Sequence, residues 1–154
     1  MSTIAKLVSR MAITLLAGMA FLLSGNQAIA DTPESLNGAK LVDAAKVKSL
    51  IESGVMVIDA RVANEYAESH IKGAINVPYK EKSAKSLDFD ASMDSFDLGK
   101  LPADKTTAMI FYCNGPECWK SYKASTAAIK AGYKNIYWYR LGIPDWKAKG
   151  NPTE

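Results

Sequence analysis

Two stretches of the chain are continuously apolar and rich in β-forming residues: Val55-Met56-Val57-Ile58, which ends at Asp59, and Ala108-Met109-Ile110-Phe111-Tyr112, which ends at Cys113. Uninterrupted apolar strands are covered on both faces, as in a parallel sheet sandwiched by helices. Around these runs the spacing turns helical. Asp43 stands as an N-cap before Val47, Leu50 and Ile51, with Gly54 closing the segment. A short helical piece fits Ala63 to Glu68, and a longer one runs from Trp119 to Lys130, stopped by Gly132. Weaker strands are expected at Lys40-Leu41-Val42, at Ala74 to Val77 before Pro78, and from Asn135 to Tyr139. Residues 80–105 are rich in Lys, Ser and Asp and read as a loop with one helical turn. Strand and helix alternate, which predicts an α/β fold with a parallel sheet and right-handed crossovers.

The N-terminus follows a different pattern. Lys6 and Arg10 precede an apolar run from Met11 to Leu23, which leads to Gln27-Ala28-Ile29-Ala30. That order is a secretory leader with an Ala-x-Ala cleavage site, so residues 1–30 are expected to be a signal peptide, 31–38 a tail and 39–154 one domain. The run is shorter than the roughly 20 apolar residues of a membrane span, so no stable membrane insertion is expected after cleavage. Export follows, to the periplasm in a Gram-negative host.

Charge changes the picture once the leader is set aside. The full chain carries 19 basic and 16 acidic residues, and residues 1–30 contribute two of the basic ones and none of the acidic ones. The remainder is close to neutral and lacks a Lys/Arg block, which excludes a nucleic-acid footprint. Cys113 and Cys118 are the only cysteines and His70 the only histidine. Two cysteines so close together cannot staple distant segments, and with a single histidine they cannot build a structural zinc site. Neither metal nor cofactor is expected.

Their clustering points to chemistry. Cys113 falls between a buried strand and a helix N-terminus, where open α/β sheets bind ligands. The N–H groups of Asn114, Gly115, Glu117, Cys118 and Trp119, with the helix dipole, are expected to converge on its sulfur and lower its pKa from about 8.5. The alternative is an inert cysteine packed at a strand end.

Several segments carry a resemblance. Val57-Ile58-Asp59-Ala60-Arg61, Glu65-Tyr66 and His70-Ile71-Lys72-Gly73-Ala74-Ile75-Asn76-Val77-Pro78 occur in order. Tyr112-Cys113, Gly132-Tyr133-x-Asn135-Ile136 and Tyr139-Arg140-Leu141-Gly142-Ile143-Pro144-Asp145-Trp146 follow, then Gly150-Asn151-Pro152. This ordered set resembles the rhodanese homology domain. The resemblance implies a five-stranded parallel sheet with helices on both faces, and a loop whose first residue, here Cys113, carries sulfur as a persulfide. A donor such as thiosulfate would load it and cyanide, a thiol or a protein acceptor would unload it, by two-step nucleophilic catalysis. Loop N–H groups would hold the persulfide anion.

The loop departs from the family pattern. Where relatives often carry Arg, Lys, Ser or Thr, this one reads Cys113-Asn114-Gly115-Pro116-Glu117-Cys118 before Trp119-Lys120. Glu117 opposes a dianionic donor unless it points outward, and Lys120 can offset it. Cys118 is the candidate resolving thiol or redox lock, against the plain reading of a small packed residue. The Asp59 and Arg61 pair is expected to be structural, and His70 a packing residue, because a thiolate held by loop donors needs no adjacent base. Trp119 alone among the tryptophans is expected to border the ligand. A thiol-disulfide module and a binding or sulfur-delivery domain remain alternatives. Phosphatase or arsenate-reductase chemistry fits poorly without an Arg to clamp a tetrahedral anion.

Overall fold

The structure, a computed structural model, describes residues 30–154. The expected leader therefore lies, except for Ala30, outside the described residues. Among these, no helix is long and apolar enough to cross a membrane.

The chain runs β1 (Ala39–Leu41), α1 (Ala44–Glu52), β2 (Met56–Asp59), α2 (Ala63–Glu68) and β3 (Ile75–Asn76), then β4 (Met109–Tyr112), α3 (Lys120–Lys130), β5 (Ile136–Tyr139) and α4 (Gly142–Ala148). The five strands form one parallel sheet in the order β1-β5-β4-β2-β3, with β4 in the centre. Asp43 caps α1 as expected, its carboxylate accepting from the Lys46 N–H at 2.8 Å.

Side-chain alternation along the strands makes two cores. Val57, Ile110, Tyr112 and Tyr139 face α1 and α4, meeting Val47, Leu50, Ile143 and Trp146. Ile58, Met109, Phe111 and Ile136 face the opposite way onto Ala124 and Ala128 of α3. Both faces of β2 and β4 are thus covered, which is why these strands read as unbroken apolar runs. Burying one Ile or Phe side chain fully contributes about 2 kcal/mol, so the central strands anchor the sheet and hold the residue that follows β4 rigidly.

Three parts differ from the sequence expectation. Helix α4 contains Gly142 and Pro144, which hide a helix in the sequence; Pro144 lies in the first turn, where its missing N–H leaves no intrahelical bond broken. Residues 80–105 carry two short 3₁₀ turns, Ala91–Met93 and Leu98–Lys100, and an antiparallel bridge between Lys80 and Ser95. The segment after Ala30, expected as a tail, is bound: Thr32 is only 2% exposed.

Candidate active site

Cys113 follows β4 directly, at the carboxyl edge of the sheet. Its carbonyl accepts from the Ile143 N–H at 3.0 Å, so the start of α4 lies against the loop. Gly142 sits there with φ +63°, and a Cβ on it would stand 2.1 Å from the Cys113 carbonyl oxygen. Only glycine satisfies both the left-handed backbone and this approach.

The loop turns at Gly115, φ +108°, whose carbonyl accepts from the Cys118 N–H at 3.0 Å. Thr32 straps the next residue, donating to the Pro116 carbonyl from its N–H and its hydroxyl, both at 2.8 Å. Arg140 in turn holds the Thr32 carbonyl, with Nη2 at 2.7 Å. The Trp119 indole donates to the Ala30 carbonyl at 2.7 Å.

The two thiols have unlike surroundings. Cys113 is 0% exposed. Its Sγ lies 3.0 Å from the Cys118 carbonyl and 3.1 Å from Ser121 Oγ, with the Ser121 N–H at 3.4 Å. Ser121 Oγ also accepts from the Trp138 indole at 3.0 Å, which fixes the hydroxyl beside the sulfur. Burial pushes the Cys113 thiol well above its ordinary value, and its contacts with Cys118 add to that; the Ser121 contacts oppose it. This corrects the expectation of a lowered Cys113 pKa, since a strand end covered on all sides withholds water from a thiolate.

Cys118 is half-buried. The neighbouring Cys113 side chain, with the backbone of Asn114 and Lys120 and the Lys120 charge, lowers it to about 6 against the pull of burial. The Cys118 N–H is spent on the Gly115 turn, and the loop N–H group within hydrogen-bond reach of the Cys113 sulfur is that of Ser121.

A cavity of about 260 Å³ opens at the loop, lined by Glu81, Lys85, Asn114, Glu117, Cys118 and Lys120. Of the residues read from the sequence, Asn114, Glu117, Cys118 and Lys120 reach it. Gly115 is buried in the turn. Trp119 is not among the residues lining this cavity: it is 2% exposed and packs edge-on against Tyr122, with its indole N–H on the Ala30 carbonyl. The Asn114 side-chain amide is engaged by Glu65. A wider hollow of about 460 Å³ is lined by Glu34, Leu41, Val42, Asp43, Arg140 and Leu141 and has no cysteine in its wall.

Asp59 and Arg61 form the expected buried pair, Nη2 to Oδ2 at 2.6 Å, and the Tyr112 hydroxyl donates to the same oxygen at 2.5 Å. His70 stacks on Tyr66, places Nδ1 2.9 Å from the Tyr66 carbonyl and has Nε2 3.5 Å from Glu154.

Sequence reasoning missed four contributors. Ser121 and Thr32 touch the loop, and Glu81 and Lys85 come to the cavity from the excursion after β3. That excursion is pinned by Lys123 of α3, which is fully buried and lies 2.8 Å from Glu81 Oε1, 2.8 Å from Ser83 Oγ and 3.7 Å from Asp94 Oδ2. A lysine four residues into a helix gives no sequence sign of such a role; only its place on the buried face with Tyr122 and Ala124 hints at one. Among the described residues no group of three or more His, Cys, Asp or Glu is arranged to hold a metal ion.

Comparison with known proteins shows what the chain is similar to. The chain is 24% identical over 131 residues to a thiosulfate:glutathione sulfurtransferase of Saccharomyces cerevisiae, covering 82% of this chain and 89% of that protein. It is 27% identical to thiosulfate sulfurtransferase 16 of Arabidopsis thaliana, a chloroplast protein, over 68% of this chain and 84% of the relative. A crystal structure of a Bacillus halodurans protein superposes with a TM-score of 0.57 at 25% identity, covering 75% of this chain and 77% of the other. The family model for the rhodanese-like domain matches residues 43–149, from the cap of α1 to the end of α4, and the chain belongs to the rhodanese-like domain family.

Proposed function

We propose that this chain is a sulfurtransferase that moves a sulfane sulfur from a small donor such as thiosulfate to a thiophilic acceptor, through a persulfide on Cys113. The observation that carries this reading is the two-thiol loop at the carboxyl edge of β4, opening on a cavity large enough for a small anion. Family membership and the sulfurtransferase relatives support it. A thiolate attacks the outer sulfur of the donor and the donor's S–S bond breaks, releasing sulfite from thiosulfate; the acceptor then takes the sulfur and restores the thiol. The Ser121 hydroxyl, beside Sγ, stabilises charge on that sulfur. The acceptor is cyanide, a small thiol or a protein thiol, and no cofactor takes part. The leader-like order of residues 1–30 supports export, to the periplasm in a Gram-negative host; fractionation of cells expressing the full chain tests this.

Intact mass of the reduced protein before and after thiosulfate, then after cyanide, tests the activity. A gain of one sulfur, removed by cyanide and absent from the Cys113→Ser variant, is expected. A loss of two hydrogens with no sulfur gained would favour the second reading, a thiol-disulfide module, which two free cysteines in one short loop make chemically reasonable.

A further inference from the structure

Thr32 lies before the family match, which begins at residue 43, and belongs to no helix or strand, yet it is only 2% exposed. A threonine buried in irregular backbone needs partners, because an unpaired buried polar group is costly. Each of its polar groups has one. The N–H and the hydroxyl both donate to the Pro116 carbonyl, each at 2.8 Å. The Thr32 carbonyl accepts from Arg140 Nε at 3.2 Å and Nη2 at 2.7 Å, and the hydroxyl oxygen accepts from Nε at 3.1 Å.

Arg140 is where this tie meets the support of the reactive loop. It directly follows β5 and stands just ahead of Ile143, whose N–H holds the Cys113 carbonyl at 3.0 Å. The loop is thus gripped at two carbonyls, that of Cys113 by Ile143 and that of Pro116 by Thr32, and the segment from Arg140 to Ile143 joins the two grips. Between them the Cys118 N–H closes the turn on the Gly115 carbonyl at 3.0 Å. The two residues that follow Pro116, Glu117 and Cys118, line the 260 Å³ cavity.

We propose that Thr32 is a positioning residue of the sulfur-carrying loop: by tying Pro116 to Arg140 it fixes the shape of the loop that the donor meets. The proposal rests on the reading that the loop carries sulfur, and adds to its apparatus a residue outside the matched domain. Thr32 has no contact with the Cys113 sulfur and acts through Pro116. Its hydroxyl is the removable half of the grip. Valine has nearly the same shape and keeps the backbone N–H but lacks the hydroxyl, whereas serine keeps both.

Two measurements test this role, on samples that share one first residue and with a urea melt to check that each variant folds. The first is single-turnover loading with thiosulfate, read by intact mass on the wild type, Thr32→Val and Thr32→Ser. A misplaced loop lowers the rate constant, whereas an unfolded fraction lowers only the final amount of sulfur gained. Thr32→Val is expected to load at least about tenfold more slowly to the same final gain, and Thr32→Ser within about twofold of the wild-type rate. Three results overturn the positioning role while leaving the sulfurtransferase reading intact: Thr32→Val at the wild-type rate, a smaller final gain at an unchanged rate, or serine no faster than valine. A wild type that gains no sulfur overturns the sulfurtransferase reading, and the second measurement, which needs no donor, then decides the positioning role alone. This is amide hydrogen exchange. The Cys118 amide is expected to exchange at least about fivefold faster in Thr32→Val than in the wild type, while the Ala131 amide, bonded to the Ala127 carbonyl at 3.0 Å at the end of α3, is unchanged. Equal exchange at Cys118 in the two proteins, or faster exchange at both amides alike, overturns the proposal.

Discussion

Replacing Asp59 with Ala should be among the most damaging single changes in the molecule, without touching the sulfur chemistry directly. The Asp59 carboxylate is 0% exposed. It accepts from the Arg61 backbone N–H at 2.8 Å, from Arg61 Nε at 3.0 and 3.1 Å and Nη2 at 2.6 Å, and from the Tyr112 hydroxyl at 2.5 Å. Burial works against the Arg61 charge, and the Asp59 carboxylate more than offsets it, holding the guanidinium above its ordinary value. Without Asp59, that guanidinium keeps one acceptor, the Ser69 carbonyl at 2.8 Å, and the Tyr112 hydroxyl loses its carboxylate partner. Breaking a buried pair on one side costs about 3–5 kcal/mol. Against about 5–15 kcal/mol for a whole domain, that is about a fifth of the total or more, and an expected drop in Tm of about 10–20 °C. Urea unfolding followed by tryptophan fluorescence measures it, because Trp138 and Trp146 are each 1% exposed. The double variant Asp59→Leu/Arg61→Met should recover at least half of the loss, since it leaves no charge stranded. A loss below about 1 kcal/mol for Asp59→Ala, or a double variant as weak as the two single losses added, would refute the account of this pair as a structural clamp.

Two further outcomes follow from the loop and its support. Gly142→Ala forces a Cβ against the Cys113 carbonyl and a side chain into the left-handed region, so a loss of about 3 kcal/mol is expected by urea unfolding, with slowed sulfur loading at temperatures where the variant is still folded. Acid should loosen the excursion after β3. Burial pushes the Asp94 carboxyl up, but hydrogen bonds from Ser83, Lys82 and Tyr79 hold it well below the usual carboxylate range. Its contribution is therefore full above the unfolded value of about 3.9 and is lost as pH falls below that toward the folded value. Urea midpoints at pH 6, 4 and 3 should fall for the wild type and fall less for Asp94→Asn; equal slopes would remove Asp94 from the explanation.

The sheet was legible because its strands report burial directly. Val57 to Asp59 and Met109 to Tyr112 are covered on both faces, and a strand in that position has no polar face to show. Asp43 was legible as a cap because its role depends only on neighbouring residues. Helix α4 was hidden by Gly142 and Pro144, whose presence reflects contacts made elsewhere: Gly142 is required by Cys113, 29 positions earlier in the numbering. Cys113 was found from its place after a strand, but its burial depends on Ser121, Trp138 and the start of α4, which the linear sequence does not bring together. The contacts of Thr32 with Pro116 and Arg140, and of Lys123 with Glu81 and Asp94, are long-range polar ties with no periodic signature.

The strap over the loop has a practical side. The buried indole of Trp119 is satisfied by the Ala30 carbonyl, one residue before Asp31 and two before the threonine that holds Pro116. A protein beginning at Asp31 has no Ala30 carbonyl to offer, whereas one beginning a few residues earlier keeps it. The first residue chosen for a recombinant sample is then a chemical variable of the reactive loop, and a tag fused close to Ala30 bears on the same contacts. Preparations that differ only in where they start are different reagents.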